Sequence, residues 1–282
     1  MKQSVGKLME RLKELHPVEE TWSLSLDEAE VRRTLLEHRA EPMLFGRIPR
    51  ERLMADLESH GILDRLRARG YSDFEARLEG ETPFDHVFRL YARHPRASQP
   101  CLLVDVRTHQ GELAGVCPWT GQECRIRALV WEWVSFQDPM GSFTARHPRL
   151  PGQEYPGLGI FRQATRLMLT YVRELDVEAL VNLPEHFHNA VLYSTLYRFF
   201  SPGREGRFQA LVRDLLPLGL ARASWGLVEG RVRDYGSDQP VRWETAEQVY
   251  PLQGPLTGYF RDPRYLDAVE AEREAHRYSL LE

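Results

Sequence analysis

A mixed α/β (α+β) fold is predicted by three features of the sequence. Apolar residues recur three and four apart over the first 70 positions, the period switches to two over residues 71–136, and helical spacing returns from Phe161. A block of strands between helical blocks makes a mainly antiparallel central sheet flanked by helices, with a helical N-terminal region and a C-terminal extension.

Each element has its own signal. Val5, Leu8, Met9, Leu12 and Leu15 form one helical stripe that stops before Pro17. Ser25-Leu26-Asp27-Glu28 is a capping box ahead of Val31, Leu35 and Leu36. Residues 49–70 carry Leu53, Leu57, Ile62, Leu63 and Leu66, with Gly61 placed to break them into two short helices. Phe74, Ala76 and Leu78, then Phe84, His86, Phe88, Leu90 and Ala92, alternate with polar residues as paired strands do. The apolar run 101–106 is closed by Thr108-His109-Gln110-Gly111, a turn from which residues 112–117 return, and 125–136 is a long aromatic strand.

After the proline- and glycine-rich stretch 138–159, Phe161, Ala164, Leu167, Met168, Tyr171, Val172 and Leu175 mark an amphipathic helix. Ala179-Leu180-Val181-Asn182-Leu183 is a short buried strand, 189–200 a second helix and 226–232 a last strand. Trp243, Tyr250, Tyr259, Phe260 and Tyr265 lie along an aromatic path that leads into a charged helix from Pro263 to the end.

Composition bounds the function. At 282 residues the chain exceeds the roughly 100–200 residues of one ordinary domain. A content of 42% hydrophobic residues is enough for a full core. The net charge of −4, with arginines spread along the chain, leaves no clustered basic face for a nucleic acid. Cys101, Cys117 and Cys124 match neither zinc nor redox spacing and read as reduced thiols of a cytoplasmic protein. No apolar segment follows Lys2 and Lys7, and no run of about 18 apolar residues occurs, so neither export nor membrane insertion is expected.

Three groups of residues could carry chemistry. In Gly157-Leu158-Gly159-Ile160, followed by a helix from Phe161 and Arg162, glycine permits close backbone approach and the free N–H groups of a helix start favour an anion. Strict alternation in 125–136 puts Glu132 on one face with Ile126, Ala128, Val130 and Val134, against Arg127, Leu129, Trp131 and Trp133. Burial there would raise the Glu132 carboxyl toward neutrality, as a general base requires. Glu185-His186-Phe187-His188 offers metal-ligand types, but no second cluster with ligand spacing accompanies it. Nucleophile-elbow, phosphate-loop and paired-cysteine motifs are missing from the sequence.

The order antiparallel strands, glycine turn, helix, short strand, helix resembles the GCN5-related N-acetyltransferase superfamily, as does His188-Asn189-Ala190-Val191-Leu192-Tyr193 followed by Tyr197-Arg198-Phe199-Phe200. The resemblance implies an acetyltransferase-like domain over 71–235, flanked by the helical region 1–70 and the extension 236–282. It implies acetyl-coenzyme A or another acyl-coenzyme A as co-substrate and a small-molecule or peptide amine as acceptor, attacked directly in a ternary complex. Gly157, Leu158, Gly159, Ile160, Phe161, Arg162 and Asn189 would hold the coenzyme. Glu132 would accept the amine proton, and Tyr193, with Tyr197 as substitute, would protonate the departing thiolate.

The departures are specific. Glu154 stands where the family has glutamine or arginine, with Gln153 one place earlier. Arg198 replaces a glycine, and 137–155 is longer than the family's connection. A fold-sharing protein that binds ligand without transfer is the competing expectation. The two ends are open to three roles: packing on the core, forming a homodimer interface, or shaping the acceptor site.

Overall fold

The computed structural model describes residues 43–80, 84–116, 123–236, 239–254 and 256–281. The helices expected around 5–15 and 25–36, and Cys117, lie outside the described residues.

Two short helices open the described chain, α1 (Arg50–Ser59) and α2 (Ile62–Arg67). Gly61 separates them at φ +67°, a left-handed backbone that glycine adopts without strain. Strands β1 (Ser72–Glu79), β2 (Asp85–Arg93), β3 (Cys101–Val116) and β4 (Glu123–Phe136) then form an antiparallel meander. Helix α3 (Phe161–Val172) crosses over to β5 (Ala179–Asn182), which runs parallel to β4, as a helical crossover allows. Helix α4 (Phe187–Tyr193) leads to β6 (Arg198–Phe199). There follow α5 (Pro202–Leu215), α6 (Leu220–Glu229), β7 (Val232–Asp234), β8 (Pro240–Val241) and β9 (Gln248–Pro251). The last elements are α7 (Leu256–Tyr259), α8 (Pro263–Ala275) and β10 (Tyr278–Leu280).

The main sheet has the order β1-β2-β3-β4-β5-β9-β6, antiparallel throughout except for β4 and β5, and a small sheet β10-β7-β8 stands beside it. Helices α1, α2 and α3 cover one face of the large sheet through Leu53, Leu66, Leu167 and Tyr171, in one cluster with Leu180 of β5. Ile126, Val130, Val181 and Val249 of the other face meet Leu256 of α7. A third cluster joins α4, α5, α6 and the small sheet around Phe187, Phe199 and Phe208. This is a mixed α/β architecture with a largely antiparallel sheet flanked by helices. Among the described residues no helix is long and apolar enough to cross a membrane.

Several expected boundaries move. No turn interrupts β3 at 108–111, because the long β4 pairs with it from Val104 to Val116 and satisfies its backbone groups. The expected helix 189–200 stops at Tyr193, since Arg198 and Phe199 pair with Val249 and Gln248 as an edge strand. The expected strand 226–232 is helical as far as Glu229, and a strand, β7, begins only at Val232. Ala223, Ser224 and Leu227 are buried at helical spacing, and Gly230 at φ +69° terminates the helix. The last helix ends at Ala275 and gives way to β10.

Candidate functional site

The parallel pairing of β4 and β5 runs from Ala128↔Ala179 to Trp131↔Asn182 and goes no further. Beyond it β4 continues to Phe136, and the chain after β5 turns away through Pro184 into α4. A cleft of about 520 Å³ occupies the gap. Glu132, Gly157, Leu158, Gly159, Ile160, Phe161, Asn189 and Tyr193 all border it. Residues scattered over 62 sequence positions are thereby brought to one place. Arg162 alone of the expected set is not on the cleft wall; it is exposed on the first turn of α3.

Glu132 owes its position to a β-bulge. Arg107 pairs with Trp133 and Thr108 with Trp131, so Glu132 is the extra residue of β4. A bulged residue is left outside the ladder, and the strand bends there. The bulge also corrects the expected alternation: Trp131, Val134 and Phe136 lie together under α3, so Val134 is not on the Glu132 face. The Glu132 residue is exposed overall, yet partial burial of its carboxyl raises the pKa. His109 and Arg107 oppose the rise, and Asp85 adds to it. His109 is itself oriented by Asp85, with Nδ1 2.6 Å from a carboxylate oxygen. Asp85 carried no motif and His109 was expected in a turn; the register of β2 on β3, Asp85↔His109, puts them side by side.

The glycine turn is anchored to the end of β4. Gln137 and Gly157 form an antiparallel bridge, Asp138 N donates to Pro156 O, and Leu158 N donates to Phe136 O. Asp138 is buried and accepts from Tyr71 Oη and Arg69 Nη1, each at 2.6 Å, which fixes the turn to the N-terminal helices. Gly159 stands at φ +68°. The α3 helix that follows has no side-chain cap and no acidic residue in its first turn, so its opening N–H groups are available to an anion. Arg65 Nη1 donates to Gly159 O at 3.3 Å, and a Cβ built on Gly159 would lie 3.7 Å from the Arg69 guanidinium. These two cations come from about 90 positions upstream, where nothing in the sequence connects them with the turn.

The 137–155 stretch forms a wall of the cleft through Leu150, Gly152, Gln153, Glu154 and Tyr155. Trp225 of α6 holds it by donating to Arg149 O at 2.9 Å. Gln153 is committed to this loop, since its Oε1 accepts from Leu150 N. Glu154 faces the cleft and is exposed, with Tyr155 as a hydrogen-bond partner.

No protein-family model matches this chain, and no curated protein matches it. Tyr193 borders the cleft with its ring edge-on to Phe161 at 5.4 Å, and burial pushes its hydroxyl well above the ordinary range, so it stays protonated. Tyr197 is buried one turn later and borders only the apolar space behind, which separates the two candidate tyrosines.

His186 and His188 stack at 5.5 Å and both line the cleft, but among the described residues no group of three or more metal-ligating side chains exists. Burial, and then the neighbouring His186, pull His188 down to about 4. Its Nδ1, with Nδ2 and Oδ1 of the buried Asn182, has no hydrogen-bond partner among the described residues. These are three buried hydrogen-bonding positions on the cleft lining, of the kind that a bound ligand or water satisfies.

His188 makes acid sensitivity predictable. The folded chain refuses a proton that the unfolded chain takes up near 6.5, so this group's contribution is full above that pH and is lost as pH falls toward about 4. The loss is expected to be at most about 3 kcal/mol. Thermal unfolding across this window should fall less steeply for His188→Gln than for the unaltered protein.

Proposed function

We propose that the chain is an acyl-coenzyme A dependent N-acyltransferase of the GCN5-related kind, with the core over 71–235. The observation that carries this reading is the meeting, at the point where parallel β4 and β5 part, of the glycine turn with its uncapped helix and the side chains of Glu132 and Tyr193. Charge is distributed to suit a molecule that is anionic at one end and receives an amine at the other. Arg65, Arg69 and Arg162 surround the turn and the α3 start. Glu132 and Glu185 line the cleft, which has no lysine or arginine on its described wall, while Glu154 stands beside the turn.

In this reading the pyrophosphate is held by the N–H groups of the turn and of α3, with Asn189 on the facing wall. The amine enters among the carboxylates and loses its proton to Glu132 as it attacks the thioester carbonyl. Backbone N–H at the β4 bulge supports the oxyanion. The tetrahedral intermediate collapses with C–S cleavage, and Tyr193 gives its proton to the thiolate. Asn182 and His188 have the free donor and acceptor positions to orient the acceptor.

The test is thermal unfolding with coenzyme A and acetyl-coenzyme A. Binding to the native state alone, at 100 times the dissociation constant, adds about 2.7 kcal/mol and a readily measured rise in Tm. No shift at millimolar ligand would remove the coenzyme from the proposal. A second reading, a ligand-binding module without transfer, draws on Glu154 at the cleft beside the turn, where a carboxylate repels phosphate. A Tm shift without turnover of any amine across a broad panel would favour it.

A further inference from the structure

Behind the cleft lies a second cavity, of about 80 Å³, between the sheet and α3. A single water needs about 10–15 Å³ on such a measure, so the space admits roughly half a dozen water-sized groups. Its walls are apolar: Leu53, Leu57, Phe88, Val106, Leu167 and Met168 are representative. Trp131, Val134, Phe136, Ile160, Phe161 and Tyr193 border both this cavity and the cleft. The two spaces therefore share a wall made of the edge-on Phe161–Tyr193 ring pair and the bulged end of β4.

From this geometry we infer that the apolar cavity takes the hydrocarbon chain of the transferred acyl group, a straight chain of about six carbons. The inference deepens the acyltransferase reading and rests on it for the identity of the carrier, but not for the chemistry of the chain. An apolar cavity of this size does not hold water well, and its lining forfeits dispersion contacts while it is empty. Apart from the hydroxyl- and indole-bearing Trp131, Thr165, Tyr171, Tyr193, Thr195 and Tyr197, the lining offers a polar substituent no hydrogen-bond partner. A linear aliphatic chain recovers the contacts and needs no partner. The position is also the right one, because Tyr193, the proposed proton donor to sulfur, belongs to the wall that the cavity and the cleft share. A chain running inward from a thioester at that point would leave the coenzyme in the cleft and the amine side open.

Calorimetric titration with coenzyme A and its acetyl, butyryl, hexanoyl, octanoyl and decanoyl thioesters tests this, alongside straight-chain alcohols of four to ten carbons as carrier-free probes. Each methylene that enters contributes about 0.8 kcal/mol, so affinity is expected to rise about 4-fold per carbon up to about six carbons and then stop rising. Ala164 and Met168, one turn apart on α3, border the cavity but not the cleft. Ala164→Leu should move the break to shorter chains and Met168→Ala to longer ones, with affinity for coenzyme A itself unchanged.

Opposite shifts in two variants cannot both come from loss of fold. Coenzyme A bound with no dependence on chain length in either series would overturn the chain site and leave the coenzyme reading standing. Alcohols bound with the expected break, but no thioester bound, would keep the chain site and remove the coenzyme. A series with no binding of either kind would overturn both.

Discussion

Glu132→Gln is expected to lower acyl transfer by about 10²- to 10⁴-fold, the range that a positioned general base contributes. The substitution keeps shape and removes only the ability to take a proton. Since Glu132 is exposed and sits outside the β3–β4 ladder, the fold should be unaffected, and the Tm of the variant checks that. Activity is measured as thiol release from acyl-coenzyme A with the best amine of a panel.

The base works when ionised. Partial burial raises the Glu132 carboxyl, so the acid limb of kcat/KM should lie above the ordinary glutamate range and disappear in the variant. Undiminished turnover in both Glu132→Gln and Tyr193→Phe would remove the assigned roles and leave the Asp85–His109 pair as the candidate base. His109 is close enough to Glu132 to affect its titration and is already oriented by a carboxylate.

The largest effect on stability is expected at Gly206, where α5 crosses α8. A methyl group there would press on the Val269 carbonyl oxygen and lie 2.6 Å from Glu272 Cβ and 3.1 Å from Arg273 N. The first and last of these are backbone atoms, which cannot swing aside, so the helices must separate. Gly206→Ala should therefore cost about 1–3 kcal/mol or more, despite alanine's better helix propensity. In thermal unfolding this is a fall of several degrees. Gly203→Ala on the same helix is the control: its methyl would meet only the Glu272 side chain, at 3.8 Å, and stability should hold or rise slightly. Equal behaviour of the two variants would show that the close approach of α5 to α8 is not maintained in solution.

The sequence by itself determined the elements whose signals are local. Gly61 between α1 and α2, the antiparallel strands β1, β2 and β4, the α3 stripe of Leu167, Tyr171 and Val172, and the buried run Ala179 to Asn182 were legible because burial follows the period of the backbone, whereas the expected turn inside β3 was not there. Most of the candidate site was legible for a similar reason: glycines before a helix, a carboxylate within an aromatic strand and a tyrosine on a short helix each stand out among their neighbours.

Only the tertiary structure decided what depends on partners distant in sequence. Whether Arg198 and Phe199 continue a helix or form β6 depends on β9, some 50 residues later. The bulge that gives Glu132 its place arises from the pairing of β4 with β3 and reverses the face of Val134. Arg65 and Arg69 reach the glycine turn because Asp138 ties α2's end to the end of β4. The apolar cavity behind Tyr193 is formed by side chains from α1, the sheet and α3, whose spacing in the chain carries no trace of it. Periodicity is a property of one segment, whereas register, bulges and cavities belong to pairs of segments, and only folding brings those pairs together.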